Sequence, residues 1–487
     1  MSILALNDNS LLKTQSYING QWVDADSGKT FDVTDPATGH IIAKVADLGA
    51  IETRHAIEMA EQAMQSWKKK TAKERSVLLR KWFDLVIANQ DDLALIMTAE
   101  QGKVFSESKG EVAYGASFIE WFAEEAKRIY GDVIPNTTAD RRSIVIKQPI
   151  GVVAAVTPWN FPNAMITRKA APALAVGCAI VLKPAAETPL SALALAELAD
   201  RAGIPAGLFN VVVGQNAPEI GAELTSNPIV KKFTFTGSTP VGKLLMQQCA
   251  KTVKRTSMEL GGNAPVLVFA DADIDKAVDG AIAAKYRNAG QTCICANRII
   301  VQDSIYATFV EKFTAKVNTF NLGNGFESST TLGPLITAKA AANVDSLVVD
   351  ARAKGATVTT GGKIDSMGDT FYQPTVIANL SDDMRIAKEE IFGPVAPIFS
   401  FSTEEEAIAM ANATEFGLAS YLFTQDIARV WRVSEAIDYG MVGINEVSIS
   451  SEVIPFGGMK ESGQGREGSK YGLDDYLEIK YICMGDL

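Results

Sequence analysis

The sequence predicts an α/β protein built on parallel sheet, and three features carry the prediction. Apolar runs alternate with helix-length stretches from residue 148 onward. One run, "PIGVVAAVTPWNF", stops at Thr-Pro, as a buried strand entering a loop does. The same grain resumes near residue 260. Strands spaced by helices of this length belong to βαβ units, in which the strands run parallel. At about 150 residues per domain, a chain of this length makes roughly three domains or lobes.

The elements follow in order. From about 52 to 130 the chain shows helical periodicity with mixed charge, as in "IETRHAIEMAEQAMQSWKKKTAKERSVLLRKWFDLVIANQ". "APALAVGCAIVLKPA" reads as a helix followed by a strand, and "SALALAELADRAG" as a helix closed by Gly203. "LFNVVVG" is a strand, and "KKFTFTGS" is a strand running into a turn. In the second region "APVLVFADADID" leads to a helix, then to "GQTCICANR" and the strand "RIIVQ". "NATEFGLASYLFTQD" and "GMVGINEV" continue it. The tail after 457 is Gly-rich, then aromatic and alternating, which suits an edge strand or pairing with another subunit.

Composition narrows the function. Hydrophobic residues make 47% and charged residues 21% of the chain, as in ordinary soluble proteins. A net charge of -11 repels phosphate backbones, so no nucleic-acid partner is expected. No apolar run reaches the ~18 residues of a membrane span. The N-terminus lacks a basic segment ahead of a long apolar one, so it does not read as a secretory signal. Five irregularly spaced cysteines suit a reducing cytosol, so the expected location is cytoplasmic. The two histidines, His40 and His55, lie in polar, turn-like surroundings and read as surface residues. They leave little material for a zinc site or a Cys/His pair, and Cys-x-Cys alone offers too few ligands, so no metal is expected.

Three stretches resemble phosphate sites. "GSTPVGKL" (237–244) has Leu244 where the P-loop places its magnesium-binding hydroxyl. Its Gly237, with Ser238 and Thr239 at a helix start and Pro240 in the first turn, still makes a seat for a pyrophosphate. "GQGREG" (463–468) matches the dinucleotide fingerprint, but no apolar strand precedes it and too little chain follows, so it reads as a flexible connection. In "LKPAAETP", Lys183 stands at the end of a buried strand, either facing a ribose or phosphate or simply on the surface.

The chemistry gathers around Cys293. "SMELGGNAP" sets Glu259 before a double glycine, and "TPWNFP" sets Asn160 beside Trp159 at a strand end. Taken singly these are a turn and a loop cap. With a cysteine they form a nucleophile, a base and an oxyanion donor for acyl transfer.

TPWNFP, LKPA, FTGS, ELGG, GQTC and EEIFGP, in this order, resemble the aldehyde dehydrogenase superfamily from about residue 15 to the C-terminus. That family uses a variant Rossmann domain without the glycine fingerprint. The resemblance implies a dinucleotide-binding domain from 1–129 and 148–258 and a catalytic α/β domain from 259–456. Segments 130–147 and 457–487 would form a small β oligomerisation element, making a homodimer or homotetramer. It implies that Cys293 attacks an aldehyde to form a thiohemiacetal, with Asn160 and the Cys293 backbone N–H holding the oxyanion. Hydride transfer to nicotinamide leaves a thioester, which Glu259 helps water to hydrolyse. Trp159, Lys183, Ala186, Gly237, Ser238, Leu260, Glu390 and Phe392 would bind the cofactor.

Ala186 stands three residues after Lys183, where NAD-preferring relatives often carry a glutamate that repels a 2′-phosphate. Its absence predicts a preference for NADP, with NAD possible. Arg168 in "NAMITRKAAPALA" and Arg287 in "AAKYRNAGQTC" either pair internally or grip a carboxylate on the substrate. MITRKA, YRN and the SSE before PFGG resemble the succinate-semialdehyde dehydrogenase branch. That resemblance implies that Arg168, Arg287 and Ser451 bind the distal carboxylate of succinate semialdehyde. Glutarate semialdehyde, one methylene longer, is the nearest alternative. Cys295 is either a small buried residue or an oxidative partner for Cys293, as in some relatives. The rivals from other classes are a catalytically silent relative and a cofactor-free cysteine hydrolase.

Overall fold

The alternation seen from residue 148 folds into an eight-stranded sheet. Its order is Gly463–Gln464, Arg255–Glu259, Val230–Thr236, Val152–Val156, Ile180–Lys183, Phe209–Val211, Ser16–Ile18 and Gln21–Val23. The five strands from Arg255–Glu259 to Phe209–Val211 pair in parallel, and the outer strands are antiparallel. The apolar runs Val152–Val156 and Ile180–Lys183 are buried almost throughout, because helices cover both faces of a parallel sheet. This computed structural model describes residues 4–486; residues 1–3 and 487, the outer ends of the first and last segments assigned from sequence, lie outside the described residues.

In chain order the parallel strands read fifth, fourth, first, second, third. The direction of winding therefore reverses between Val152–Val156 and Val230–Thr236. Loops leaving the carboxyl ends of two such strands diverge and open a crevice where ligands bind. The two loops here are the ones that carry Trp159–Asn160 and Gly237–Ser238.

The helical region 52–130 becomes four helices, Ala50–Trp67, Ala72–Ala88, Gln90–Gln101 and Phe105–Glu125. Thr71 and Glu74 form a reciprocal capping box on the second, each satisfying a backbone N–H of the other's residue. Gly102 closes the third in a left-handed conformation at φ 91°. A Cβ there would also meet Pro36 at 2.7 Å, so glycine alone lets the chain turn into Lys103.

A second sheet contains seven strands. Its order is Thr357–Thr360, Thr375–Ala378, Val395–Phe401, Ala296–Gln302, Ala264–Val268, Ala419–Phe423 and Met441–Ile444, parallel except at the first. One apolar core gathers residues between 4 and 260 together with Leu473, Tyr476 and Leu477. Another gathers residues between 264 and 456. The double glycine 261–262 lies between them.

The tail is divided. Leu477–Met484 pairs along its length with Arg142–Pro149, which also holds Asp132–Ile134 in a three-stranded sheet. Gly463–Gln464, by contrast, adds to the edge of the first sheet beside Met258 and Glu259. The expectation of a flexible connection at 463–468 is therefore corrected. The segment is pinned by strand pairing and by Glu467, a buried acid with two cationic partners. No helix among the described residues is long and apolar enough to cross a membrane.

Candidate active site

Cys293 lies half-buried between the helix Ile274–Tyr286 and the strand Ala296–Gln302. The backbone on its approach is strained: Asn288 and Ala289 are left-handed at φ 51° and 53°, and Gly290 follows at 75°. Such conformations cost about 1–3 kcal/mol each for residues other than glycine and persist where the surroundings dictate them. Here the Gln291 side chain accepts the Ile336 N–H at 2.9 Å, and the Tyr421 hydroxyl donates to the Ile294 carbonyl at 2.7 Å. A Cβ on Gly262 would sit 2.4 Å from the Cys293 carbonyl oxygen, so the second glycine of ELGG is what lets the two loops touch.

Burial pushes the Cys293 thiol up to about 12, helped by Glu390 and Glu259 and opposed by Arg168. Cys295 is buried and turns its thiol inward, donating to the Lys285 carbonyl at 2.9 Å. Its environment is that of a small packed residue.

Asn160 is buried at the strand end, and its side-chain amide donates to the Gln291 carbonyl at 2.9 Å. An amide nitrogen carries two protons, so one remains for a ligand. The bond ties the TPWN loop of the first core to the cysteine loop of the second. Glu259 ends the strand Arg255–Glu259, and neither carboxyl oxygen has a hydrogen-bond partner. Burial, and then the negative charge of Glu467, hold its carboxyl well above the usual range.

A cleft of about 240 Å³ runs between the two cores. It brings together Trp159, Asn160, Gly237, Ser238, Glu259, Leu260, Cys293, Glu390 and Phe392, along with Phe161 and Met165, from stretches far apart in the sequence. Trp159 meets Phe392 edge-on, with ring centroids 5.5 Å apart, and Phe392 itself is left-handed at φ 50°.

Three features fit a dinucleotide in the cleft. The helix Thr239–Ala250 starts at Ser238 without a side-chain cap, so its first N–H groups remain free for a pyrophosphate. The Gly237 N–H donates to the Glu259 carbonyl at 3.0 Å, fixing that turn. Glu390 accepts the Gly262 N–H at 3.1 Å, and burial lifts its carboxyl to about 7. Lys183 and Ala186 stand beyond the cleft, at the end of Ile180–Lys183. The Lys183 ammonium donates to the Pro184 carbonyl at 3.0 Å, and burial lowers it to about 8.

Arg168 differs from the simple expectation of a residue free for substrate. It is 1% exposed and its Nε stands 2.6 Å from Glu467. Its guanidinium packs over the Phe456 ring at 4.0 Å, and Nη2 is buried with no hydrogen-bond partner. The internal ion pair and an unspent donor therefore coexist. Lys169, fully buried, also donates to Glu467, and to the Thr236 hydroxyl at 2.6 Å. Although burial opposes it, Lys169 and Arg168 hold Glu467 below the ordinary range.

Arg287 is exposed, with no hydrogen bond or ion pair among the described residues. Its guanidinium lies 5.1 Å from the centroid of Phe161, a residue of the cleft. Ser451 is half-buried, next to Ser450, whose hydroxyl bonds the Tyr114 hydroxyl. Sequence reasoning missed Lys169 and Glu467. The available signal was two adjacent cations in an apolar helix, which require a buried acid somewhere.

A nucleotide-type crevice at a switch point, closed by a cysteine loop from a second α/β unit, defines a class of two-lobed oxidoreductase. The model of the aldehyde dehydrogenase family matches residues 22–482, and the chain belongs to that family. Within it, the chain is 61% identical to the glutarate-semialdehyde dehydrogenase of Pseudomonas aeruginosa, covering 99% of this chain and 100% of the relative. It is 59% identical to the NADP(+) succinate-semialdehyde dehydrogenase GabD of Escherichia coli, with 99% and 100% covered. The crystal structure of succinate-semialdehyde dehydrogenase from Burkholderia pseudomallei superposes with a TM-score of 0.98 at 59% identity, covering 99% and 100% of the two chains. The chain has the aldehyde dehydrogenase α/β fold, and these three relatives are named as semialdehyde dehydrogenases.

Proposed function

We propose that the protein oxidises succinate semialdehyde to succinate, with NADP preferred over NAD. The observation that carries the substrate class is a pair of guanidiniums with unspent donors: Arg287, which makes no hydrogen bond or ion pair among the described residues, and the buried Nη2 of Arg168. Arg168 and Lys169 also share a single carboxylate, Glu467. An aldehyde with an anionic far end relieves both deficits. Ser451 adds a hydroxyl on the same side by resemblance.

Cys293 attacks the carbonyl carbon as thiolate. The developing oxyanion accepts hydrogen bonds from the spare Asn160 amide N–H and the Cys293 backbone N–H. When bound, the nicotinamide supplies the acceptor for the hydride, which leaves a thioester on Cys293. Glu259 takes a proton from water as the water attacks the thioester, releasing the acid and the thiol. Ser238 and the free N–H groups of its helix would hold the pyrophosphate, Glu390 the nicotinamide ribose, and Lys183 the adenosine ribose. Ala186 brings no carboxylate of its own to a 2′-phosphate, and a phosphate there would favour the charged form of Lys183, as the neighbouring Glu187 already does.

The glutarate-semialdehyde relative favours a second reading, a five-carbon substrate, since a methylene changes discrimination by only about 1–3 kcal/mol. For assembly, we infer a homodimer or homotetramer formed through 130–147 and the tail strand. Leu477–Met484 is an edge strand, and it exposes Ile479 and Tyr481.

The test is nicotinamide reduction with succinate semialdehyde, glutarate semialdehyde and butanal, each with NADP and NAD. The highest kcat/KM is expected for NADP with the four-carbon acid. A preference for butanal would return both arginines to structural duty.

A further inference from the structure

We propose that the buried pair Lys103–Glu111 is the positioning clamp of the Asn160 loop. The proposal rests on the reading of Asn160 as oxyanion donor. Both residues are 2% exposed, and neither lines the cleft. The Lys103 ammonium donates to Glu111 at 2.5 Å and to the Asn160 backbone carbonyl at 2.7 Å, and it stands 4.1 Å from the Phe161 ring centroid. The other Glu111 oxygen accepts the N–H groups of Asn163 and Ala164 at 2.9 and 3.2 Å. One ion pair thus grips the stretch 160–164 at both ends from behind.

Asn288 completes the hold by donating to the same Asn160 carbonyl at 2.9 Å. The peptide plane at 160 is therefore set by two donors, one of them charged, while the side chain ahead of it reaches Gln291. Lys103 itself is aimed by the left-handed Gly102 and by its N–H bond to the Gln101 side chain at 2.9 Å.

Stability does not account for such a pair. Replacing a buried ion pair by neutral groups of similar volume is often neutral or stabilising. A carbonyl fixed by a buried ammonium, however, fixes where the amide of the same residue points. An oxyanion donor is worth about 10²–10³-fold in rate, and a shift of about 1 Å can cost about 10²-fold.

The experiment compares the full-length wild type with K103M, K103M/E111Q, N160A, K103M/N160A and K103M/E111Q/N160A. It measures kcat, KM for succinate semialdehyde and NADP, and the thermal midpoint. In K103M/E111Q both charges are removed together, and the amide oxygen introduced by E111Q can still accept the two N–H groups, so folding is retained. Its kcat is expected to fall about 10²-fold with the NADP KM and thermal midpoint near wild type. With both charges removed, K103M/E111Q/N160A is expected to be no slower than N160A, because a clamp acting through Asn160 has nothing left to position. A K103M/E111Q enzyme within about 3-fold of wild type, beside a slow N160A, overturns the clamp alone. Losses that multiply in K103M/N160A or in K103M/E111Q/N160A also overturn it, in favour of a general structural role. A wild-type kcat in N160A overturns the oxyanion reading and the clamp with it.

Discussion

Replacing Arg287 by alanine separates substrate recognition from folding. The guanidinium is exposed, makes no hydrogen bond or ion pair among the described residues, and leans on the Phe161 ring at 5.1 Å. Its removal leaves no buried group unpaired, so stability should change by no more than about 0.5–1 kcal/mol. A hydrogen bond to a charged group contributes about 1.5–3 kcal/mol, and about 1.36 kcal/mol is tenfold in rate. R287A should therefore lower kcat/KM for succinate semialdehyde about 10–150-fold, mainly through KM. The rate with butanal, which has no carboxylate to lose, should stay within about twofold.

R168A makes the contrast. It should show a similar loss with the charged aldehyde, but also a lower thermal midpoint, because Glu467 is left buried with Lys169 alone. Losing one partner of a buried pair costs about 3–5 kcal/mol, less the part that Lys169 retains. Steady-state kinetics with both aldehydes and a thermal melt read all four quantities. Equal losses for succinate semialdehyde and butanal would refute the assignment of the arginines.

A186E places a carboxylate where a 2′-phosphate would lie, so the KM for NADP should rise at least about tenfold while NAD is little affected; dinucleotide titrations with the two cofactors check this. Glu259 titrates well above its ordinary range, and below its folded pKa it holds a proton and cannot accept one. Thioester hydrolysis should therefore accelerate as pH rises through the range in which Glu259 loses its proton. E259Q should lose about 10²-fold or more in kcat and keep a one-equivalent burst of reduced cofactor in stopped flow. With a thiol pushed up to about 12, the thiolate is a small minority of Cys293 at pH 7. Iodoacetamide alkylation of the free enzyme should be slow there and gain about tenfold per pH unit through pH 9, followed by mass spectrometry of the Cys293 peptide.

Much of the fold was legible because its signals are local. An apolar run ending at Thr-Pro, a Gly-Ser turn after a strand and Pro in a helix's first turn are set by neighbours within a few residues. Those signals located the strand ends where Asn160, Gly237 and Ser238 stand. The ordered motifs then singled out Cys293, Glu259 and Glu390 as residues, though not as neighbours.

What the sequence by itself determined is thus the kind of chain and the chemical groups it carries. Only the tertiary structure decided which of them meet and in which direction their titration moves. Glu467 lies 298 residues from Lys169 and sits in a segment whose letters imitate a dinucleotide fingerprint. Asn160 reaches Gln291 across 131 residues. Lys103 reaches Asn160 across 57. No periodicity spans such distances. The shifts of Cys293 and Glu259 likewise arise first from burial, and a residue's burial is settled by the packing of both lobes around it rather than by its own neighbours in the chain.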